Sequence, residues 1–313
     1  MKISLCVTVF NEESTIVALL DSLINQSKKA DEIIIVDGGS SDKTVEIIRH
    51  FQKKYSIIKL VIEKSSRAKA RNLAVEISRN NIVAMTDAGC IADRNWLKNI
   101  TKPFEIGSVD VVAGFYKMRG KTLLQKAESV YLGVTPGNFD YNFLPSTRSI
   151  AFTKETWEEV GGFPENLEDA AEDTVFNYKL IKFGTKISRV KDATVEWGMP
   201  STLKDFFNKI KSYSFGDAKS KITFFPGKGF RSHNIKAISI LLRYLLGIII
   251  LILGFKIKIL LTCLLIFILI YLFWAYKKVN LEYGNWKIAI WGPILQIISD
   301  LAVMTGFISG IIA

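Results

Sequence analysis

The chain is poor in the residues that build disulfide frameworks and metal centres. It has three cysteines, Cys6, Cys90 and Cys263, and two histidines, His50 and His233, in 313 residues. No CxxC occurs and no cysteine or histidine shows ligand-like spacing, which excludes a disulfide scaffold and a structural zinc site. Reduced, cytosol-facing thiols are the expectation. GxxxxGK[ST] is missing, so there is no phosphate-cradling P-loop, and without GxGxxG a dinucleotide fold has weak support. Long apolar runs are absent before residue 235. The first apolar run, 3–10, stops at Asn11 and Glu12, so it is expected to be a strand and not a signal peptide.

What the chain does have is apolar bulk and positive charge, 49% hydrophobic residues and a net charge of +11. Such a balance suits nucleic acid, an anionic membrane surface or a polyphosphate ligand. The basic residues border apolar segments and no nucleic-acid motif occurs, so no nucleic-acid partner is expected. Residues 238–255, 257–275 and 288–312 are long enough to cross hydrocarbon about 30 Å thick. The first two form a hairpin. The third is interrupted by Gly292-Pro293 and Asp300, and three spans are favoured over two. Lys228, Arg231, Lys236, Lys277, Lys278 and Lys287 outnumber Lys256 and Lys258 on the other side. The expectation is therefore a multi-pass protein of the cell membrane with a cytoplasmic N-terminal part. Arg243 reads as shallow and Asp300 as deep, so a pairing between them is left open without support from depth. Arg243 either snorkels or holds a lipid phosphate.

Before the spans, apolar strands alternate with helical spacing. Strands are expected at 3–10, 32–36, 57–63 and 82–87, with helices through Leu19 and Leu23, over 44–51 and from Ser65 to about Ser78. Further strands are expected at 109–115, 148–152, 186–190 and 193–197, helices at 153–160 and 174–183, and a loop at 133–144. Four strands in succession end in polar clusters, and right-handed crossovers bring parallel strand ends to one side. The clusters are Asn11-Glu12, Asp37-Gly38-Gly39-Ser40, the segment before Arg67, and Thr86-Asp87-Ala88-Gly89. Asp87 either caps the following element or holds a ligand. Asp93 is expected to cap the next helix. Arg67, Lys69 and Arg71 occupy a helix start, where the dipole disfavours cations. They are either a solvated basic turn or an anion site, and Arg67 and Arg71 share a face. Glu168, Asp169, Glu172 and Asp173 precede a helix, which suits the dipole and equally a general base. A helix at 202–215 carries Phe206, Phe207 and Ile210 on one face, either on the membrane interface or packed in a core. The division expected is a catalytic domain 1–200, an interfacial helix and basic connector 201–235, and a membrane region 236–313.

Taken together, Thr8-Val9-Phe10-Asn11-Glu12-Glu13, Val36-Asp37-Gly38-Gly39-Ser40-Ser41-Asp42, Arg67-Ala68-Lys69-Ala70-Arg71-Asn72, Thr86-Asp87-Ala88-Gly89, Gly161-Gly162-Phe163 and Glu172-Asp173 resemble the family 2 glycosyltransferases in motif and in order, over about residues 3–215. The resemblance implies an α/β fold of the A-type, Rossmann-like nucleotide-diphospho-sugar class, followed by membrane helices. It implies inverting transfer from a UDP- or GDP-sugar. Phe10, Asn11, Glu12, Asp37, Gly39, Ser40, Arg67, Lys69, Arg71, Asn72, Thr86, Asp87 and Ala88 would bind the donor, and Asp87 a divalent cation, Mg²⁺ or Mn²⁺. Asp173 beside Glu172 would be the base. Arg148, Arg231 and Arg243 would serve a lipid-linked acceptor or membrane lipids. Two departures matter. Gly89 stands where the family places a second metal-binding carboxylate, leaving water, diphosphate oxygens, His233 or Asp93 to complete the shell. The Gln-x-x-Arg-Trp signature of processive synthases is absent, so one sugar per event is expected. A polyprenyl-phosphate glycosyltransferase and a non-catalytic nucleotide-sugar-binding membrane protein are the alternatives.

Overall fold

The structure, a computed structural model, describes residues 1–107, 109–134, 139–141, 143–167, 171–220 and 233–313, with backbone alone at 233–234. Glu168, Asp169, Lys228, Arg231 and the side chain of His233 lie outside the described residues. The chain divides into two compact units.

Unit 1 comprises Met1–Met118 and Val134–Gly198. Its centre is a set of buried parallel strands, whose continuous Ile and Val runs are what a sheet covered on both faces requires. β1 (Ile3–Val9) lies between β2 (Glu32–Asp37) and β4 (Ile82–Asp87), and β3 (Ile58–Ile62) flanks β2. With β5 (Cys90–Ala92), β6 (Val111–Arg119), β7 (Ile150–Thr153) and β8 (Ile187–Gly198) the order is β3-β2-β1-β4-β7-β6-β8-β5. β7 runs antiparallel to β4 and β6, and β5 antiparallel to β8. The helices of this unit are α1 (Ile16–Ile24), α2 (Thr44–Lys54), α3 (Arg67–Glu76), α4 (Trp96–Ile106), α6 (Lys154–Glu159) and α7 (Glu172–Phe183). Phe152, Phe163 and Phe176 are buried with Cys6, Val36, Ala74 and Met85, and the rings of Phe163 and Phe176 stack at 4.2 Å. Each such ring contributes roughly 1.5–3 kcal/mol by leaving water. This cluster seats the start of α7 beside the end of β4.

Three expectations need correction. Asp93 does not cap α4; it is exposed, and the N-cap residue is Asn95. The short β5 intervenes because Cys90–Ala92 pairs with the end of β8, a long-range contact that local spacing cannot reveal. β8 is one strand, since Lys191 and Asp192 continue it while exposed.

Unit 2 comprises Arg119–Gly133 and Met199–Ala313, so residues 119–133, inside the stretch expected as one catalytic domain, pack with the C-terminal helices. It contains α5 (Leu123–Leu132), α8 (Leu203–Lys219), α9 (His233–Gly254), α10 (Lys258–Tyr283), α11 (Trp286–Ala289) and α12 (Trp291–Ile312). Three segments, Ile235–Gly254, Lys258–Tyr283 and Trp286–Ile312, are long and apolar enough to cross a membrane. The face of α8 bearing Phe206 and Ile210 is not open to an interface; both are buried in a cluster with Ala127, Leu295 and Ala302. The reason is close backbone approach. A Cβ on Gly306 would lie 2.2 Å from the Lys211 carbonyl oxygen, and one on Gly310 2.4 Å from that of Phe215. Gly306 and Gly310 form the small-xxx-small stripe that lets two helices meet. The expectation that Arg243 and Asp300 lie at different depths also fails: they pair at 2.9 Å.

Gly306→Ala should therefore destabilise unit 2 by about 1–3 kcal/mol through overpacking. Gly247→Ala, where a Cβ meets nothing within 4 Å, should not. Thermal unfolding of the detergent-solubilised variants checks this, and equal midpoints would refute the helix contact.

Candidate active site

The carboxyl ends of β1, β2 and β4 lie side by side, because all three strands are parallel and in register. Asn11 follows β1 in a left-handed conformation, φ 53°, which asparagine tolerates better than most residues. Its Oδ1 accepts from the Ser41 amide at 2.9 Å, and its own amide donates to Ser40 Oγ at 2.8 Å. The Glu12 amide donates to Thr44 Oγ1 at 2.7 Å, and Thr15 donates to the Glu12 carboxylate. Phe10 is 60% exposed, and its ring borders Gly38.

Asp37, expected among the donor-binding residues, is hydrogen-bonded within its own turn. It is fully buried, Oδ1 accepts from the amides of Gly39 and Ser40 at 3.0 and 2.9 Å, and Oδ2 accepts from Ser40 Oγ at 2.5 Å. These bonds build the turn in which Gly39 takes φ 96°. Asn72 is likewise engaged within the fold. Its Nδ2 donates to the Phe163 carbonyl and Glu165, and its Oδ1 accepts from the Phe163 amide and Trp157 Nε1. Every hydrogen-bonding position of that amide is taken, leaving none for a ligand. Asn72 fastens the turn at Gly161–Phe163 instead.

The charged centre lies between α3, β4 and α7. Ser66 caps α3, its Oγ accepting from the Lys69 amide. Arg67 and Arg71 then point from one face, as their spacing requires. Arg71, 2% exposed, donates from Nη2 to Asp87 Oδ1 at 2.8 Å and from Nη1 to Glu172 Oε1 at 2.6 Å. Arg67 Nη1 reaches the same Glu172 oxygen at 3.3 Å with its side chain 53% exposed. The cations at the start of α3 are thus answered by the protein's own acids. Lys69 stands apart, half-exposed and paired with Glu63 at 3.2 Å. Thr86 Oγ1 donates to the Arg148 carbonyl, and Ala88 and Gly89 form the turn after β4, Gly89 with φ 75°.

Two contacts were not foreseen. Thr147 Oγ1 donates to Asp87 Oδ2 at 2.9 Å. Arg148 lies over the rings of Trp197 and Tyr116, 4.0 and 5.0 Å from their centroids, and its Nη1 donates to Ser146 Oγ. The only local sign is a polar run, Ser146-Thr147-Arg148, just ahead of the strand that pairs with β4.

These neighbours separate the acids. Burial opposes the charge of Asp87, but Arg71, Arg148 and Arg67 hold its carboxyl below the usual range. Glu172, buried as well, is held low by Arg71 and Arg67. Asp173, half-buried, is pushed up, first by burial and then by the adjacent Glu172 charge, with Arg71 and Arg148 pulling back. Its Oδ1 accepts from the Thr174 amide at 2.8 Å. Two adjacent carboxyls with oppositely displaced pKa values are how one site keeps a fixed anion beside a proton acceptor.

The expected divalent cation finds no ready-made shell. Among the described residues no three acid, histidine or cysteine side chains are grouped so that they could hold a metal ion. Both oxygens of Asp87 are engaged, and Gly89 offers no carboxylate. These residues do not make a resident metal site.

Two family models match the chain: Glycosyl transferase family 2 over residues 4–156, and Glycosyl transferase family group 2 over 137–276. Among curated relatives, glycosyltransferase AglE of Haloferax volcanii is 28% identical over 172 residues, 53% of this chain and 57% of that protein. The O-antigen chain rhamnosyltransferase RfbN of Salmonella typhimurium is 26% identical over 229 residues, 67% of this chain and 70% of its own length. The chain thus spans little more than half of AglE. Among solved structures, the mannosyltransferase PcManGT from Pyrobaculum calidifontis, in complex with GDP-Man and Mn²⁺, superposes with TM-score 0.61 at 18% identity, covering 96% of this chain and 86% of that one. S. aureus TarS 1–349 in complex with UDP gives TM-score 0.54 at 18% identity, covering 98% and 89%. At these identities the structures establish the fold, the A-type glycosyltransferase sheet. The matching models, which together run through 4–276, and the ordered motifs lead to one conclusion: the chain belongs to the family 2 glycosyltransferases.

Proposed function

We propose that this protein is a membrane-anchored, inverting glycosyltransferase that moves one sugar from a nucleotide-diphosphate sugar to a hydroxyl of a lipid-linked or cell-envelope glycan. The observation that carries the reading is the sorted pair Glu172 and Asp173 beside Arg71 and Asp87. GDP-Man and UDP in the structural neighbours support a nucleotide-sugar donor. Relatives named for O-antigen and poly(ribitol-phosphate) glycosylation support an envelope glycan acceptor. The three apolar segments and the positive flanks favour a cell-membrane anchor with unit 1 on the cytoplasmic side.

In this mechanism the exposed Phe10 ring and the Asn11–Ser40 rim meet the nucleotide. Asp87, locked by Arg71 and Thr147, presents a fixed negative edge at the end of β4. Asp173 accepts the proton of the acceptor hydroxyl. The oxygen forms a bond to the anomeric carbon on the face opposite the diphosphate, which departs with the electron pair of the broken C–O bond. Arg67 and Arg148 are the cations placed to offset that charge. A bound Mg²⁺ or Mn²⁺ would supply further positive charge to the diphosphate. Asp87 is the one acid on β4 for such an ion, which would rely chiefly on the donor's oxygens.

Asp173→Asn should lower transfer to a hydroxyl acceptor by about 10²–10⁴-fold in a folded protein. In the wild type, kcat/KM should fall as pH drops through the raised Asp173 pKa, so the acid limb lies above the usual aspartate range. An ionised lipid phosphate as acceptor needs no base, and near-normal transfer by the Asp173→Asn variant would favour that acceptor instead.

Electron paramagnetic resonance of added Mn²⁺ should detect no tight site without nucleotide and one ion per chain once a nucleoside diphosphate is present. Gly89→Asp should tighten nucleotide-free binding, because a Cβ there meets nothing within 4 Å. The left-handed backbone makes that substitution cost roughly 1–2 kcal/mol. Tight Mn²⁺ binding to the nucleotide-free wild type would contradict the assignment.

A further inference from the structure

Asp300 is fully buried on α12 and ties three helices together. Its Oδ2 accepts from Tyr271 Oη at 2.6 Å, Arg243 Nη2 at 2.9 Å and Tyr244 Oη at 3.2 Å, and its Oδ1 accepts from Gln296 Nε2 at 3.0 Å. Four donors bind that carboxylate, three on Oδ2 and one on Oδ1. Arg243 is in the opposite position. Among the described residues it makes this single hydrogen bond, it lies over the Tyr271 ring at 4.3 Å, and 45% of its side chain stays exposed.

By helical rise Arg243 sits about 12 Å along its helix from Ile235, and Asp300 about 13 Å from Trp291. In a bilayer that level is hydrocarbon, where an unmet guanidinium donor is costly. The α9–α10 hairpin sets Lys236 and Lys278 at a common level, about 10 Å nearer the helix ends than Arg243 and Tyr271. Lys278 lies 3.8 Å from the Tyr131 ring and has no hydrogen bond among the described residues. Three cations on this hairpin therefore outnumber one acid, whose Oδ2 is already shared by three donors. Glu282, a turn beyond Lys278, is exposed and forms no ion pair among the described residues. This arrangement attracts an anion that can reach into the apolar layer, and a free phosphate cannot.

We propose that Arg243, with Lys236 and Lys278 toward the membrane surface, holds the anionic phosphate of a membrane lipid against the Asp300 cluster. The inference rests on the reading that these helices cross a membrane. Arg243 supplies donors to the lipid phosphate as it keeps its bond to Asp300. Lys278 and Lys236 meet the outer oxygens.

The test uses the full chain in phosphatidylcholine nanodiscs containing either phosphatidylglycerol or a polyprenyl phosphate, with retained lipid counted by native mass spectrometry. Wild type should retain at least one anionic lipid. Lys278→Gln leaves every Asp300 bond in place and should lower retention about tenfold, the effect of one charge-assisted hydrogen bond. Arg243→Gln combined with Asp300→Asn, which leaves no unpaired buried charge, should abolish it. Preference for polyprenyl phosphate assigns the site to an acceptor lipid, and equal retention of the two lipids assigns it to bulk headgroups; both support the site. Equal retention by wild type and both variants, or none by wild type, overturns it. Separately, release of the protein from membranes by alkaline carbonate would defeat the membrane reading itself.

Discussion

Arg71 holds two carboxylates at once, and the rest of the centre depends on that. One guanidinium, almost entirely out of water, joins the end of β4 to the first turn of α7 through Asp87 and Glu172. Removing one partner from a buried ion pair typically costs about 3–5 kcal/mol, because the other charge is left unpaired. The arrangement therefore fixes the spacing of two elements far apart in sequence. It also biases the ionisation of the acids: it holds Glu172 below the usual range, and the charge of Glu172 adds to burial in raising its neighbour Asp173.

Much of the fold is legible in the sequence because its central strands obey a simple rule. Buried parallel strands are apolar throughout and stop at polar residues at the carboxyl edge of the sheet, as at Asn11, Asp37 and Asp87. β5 and the attachment of residues 119–133 to unit 2 are not legible, because each depends on partners remote in the chain. Gly306 and Gly310 are visible as a spacing, but only the approach of the Lys211 and Phe215 carbonyls tells why glycine is needed there.

At the site, residue types and helical spacing bring Arg67 and Arg71 to one face and foretell an acid pair at the start of α7. They do not say which polar groups are used up inside the protein. Asp37 and Asn72 read alike in sequence, but Asp37 shapes its own turn while the amide of Asn72 is wholly taken up by the Gly161–Phe163 turn. Thr147 and the aromatic stack around Arg148 are invisible until β7 is placed beside β4. The roles of Glu172 and Asp173 require burial and neighbouring charge, neither of which is a local property.

A carboxyl titration followed by ¹³C NMR tests the central claim most directly, using the full chain in micelles with aspartate and glutamate side chains labelled and Asp173 and Glu172 assigned by substitution. The account predicts that Glu172 stays ionised below the ordinary glutamate range as Asp173 takes up its proton above the ordinary aspartate range. If Asp173 instead titrates like an exposed aspartate, or Glu172 is the acid that protonates first as pH falls, Arg71 does not sort the pair and the assignment of the base fails.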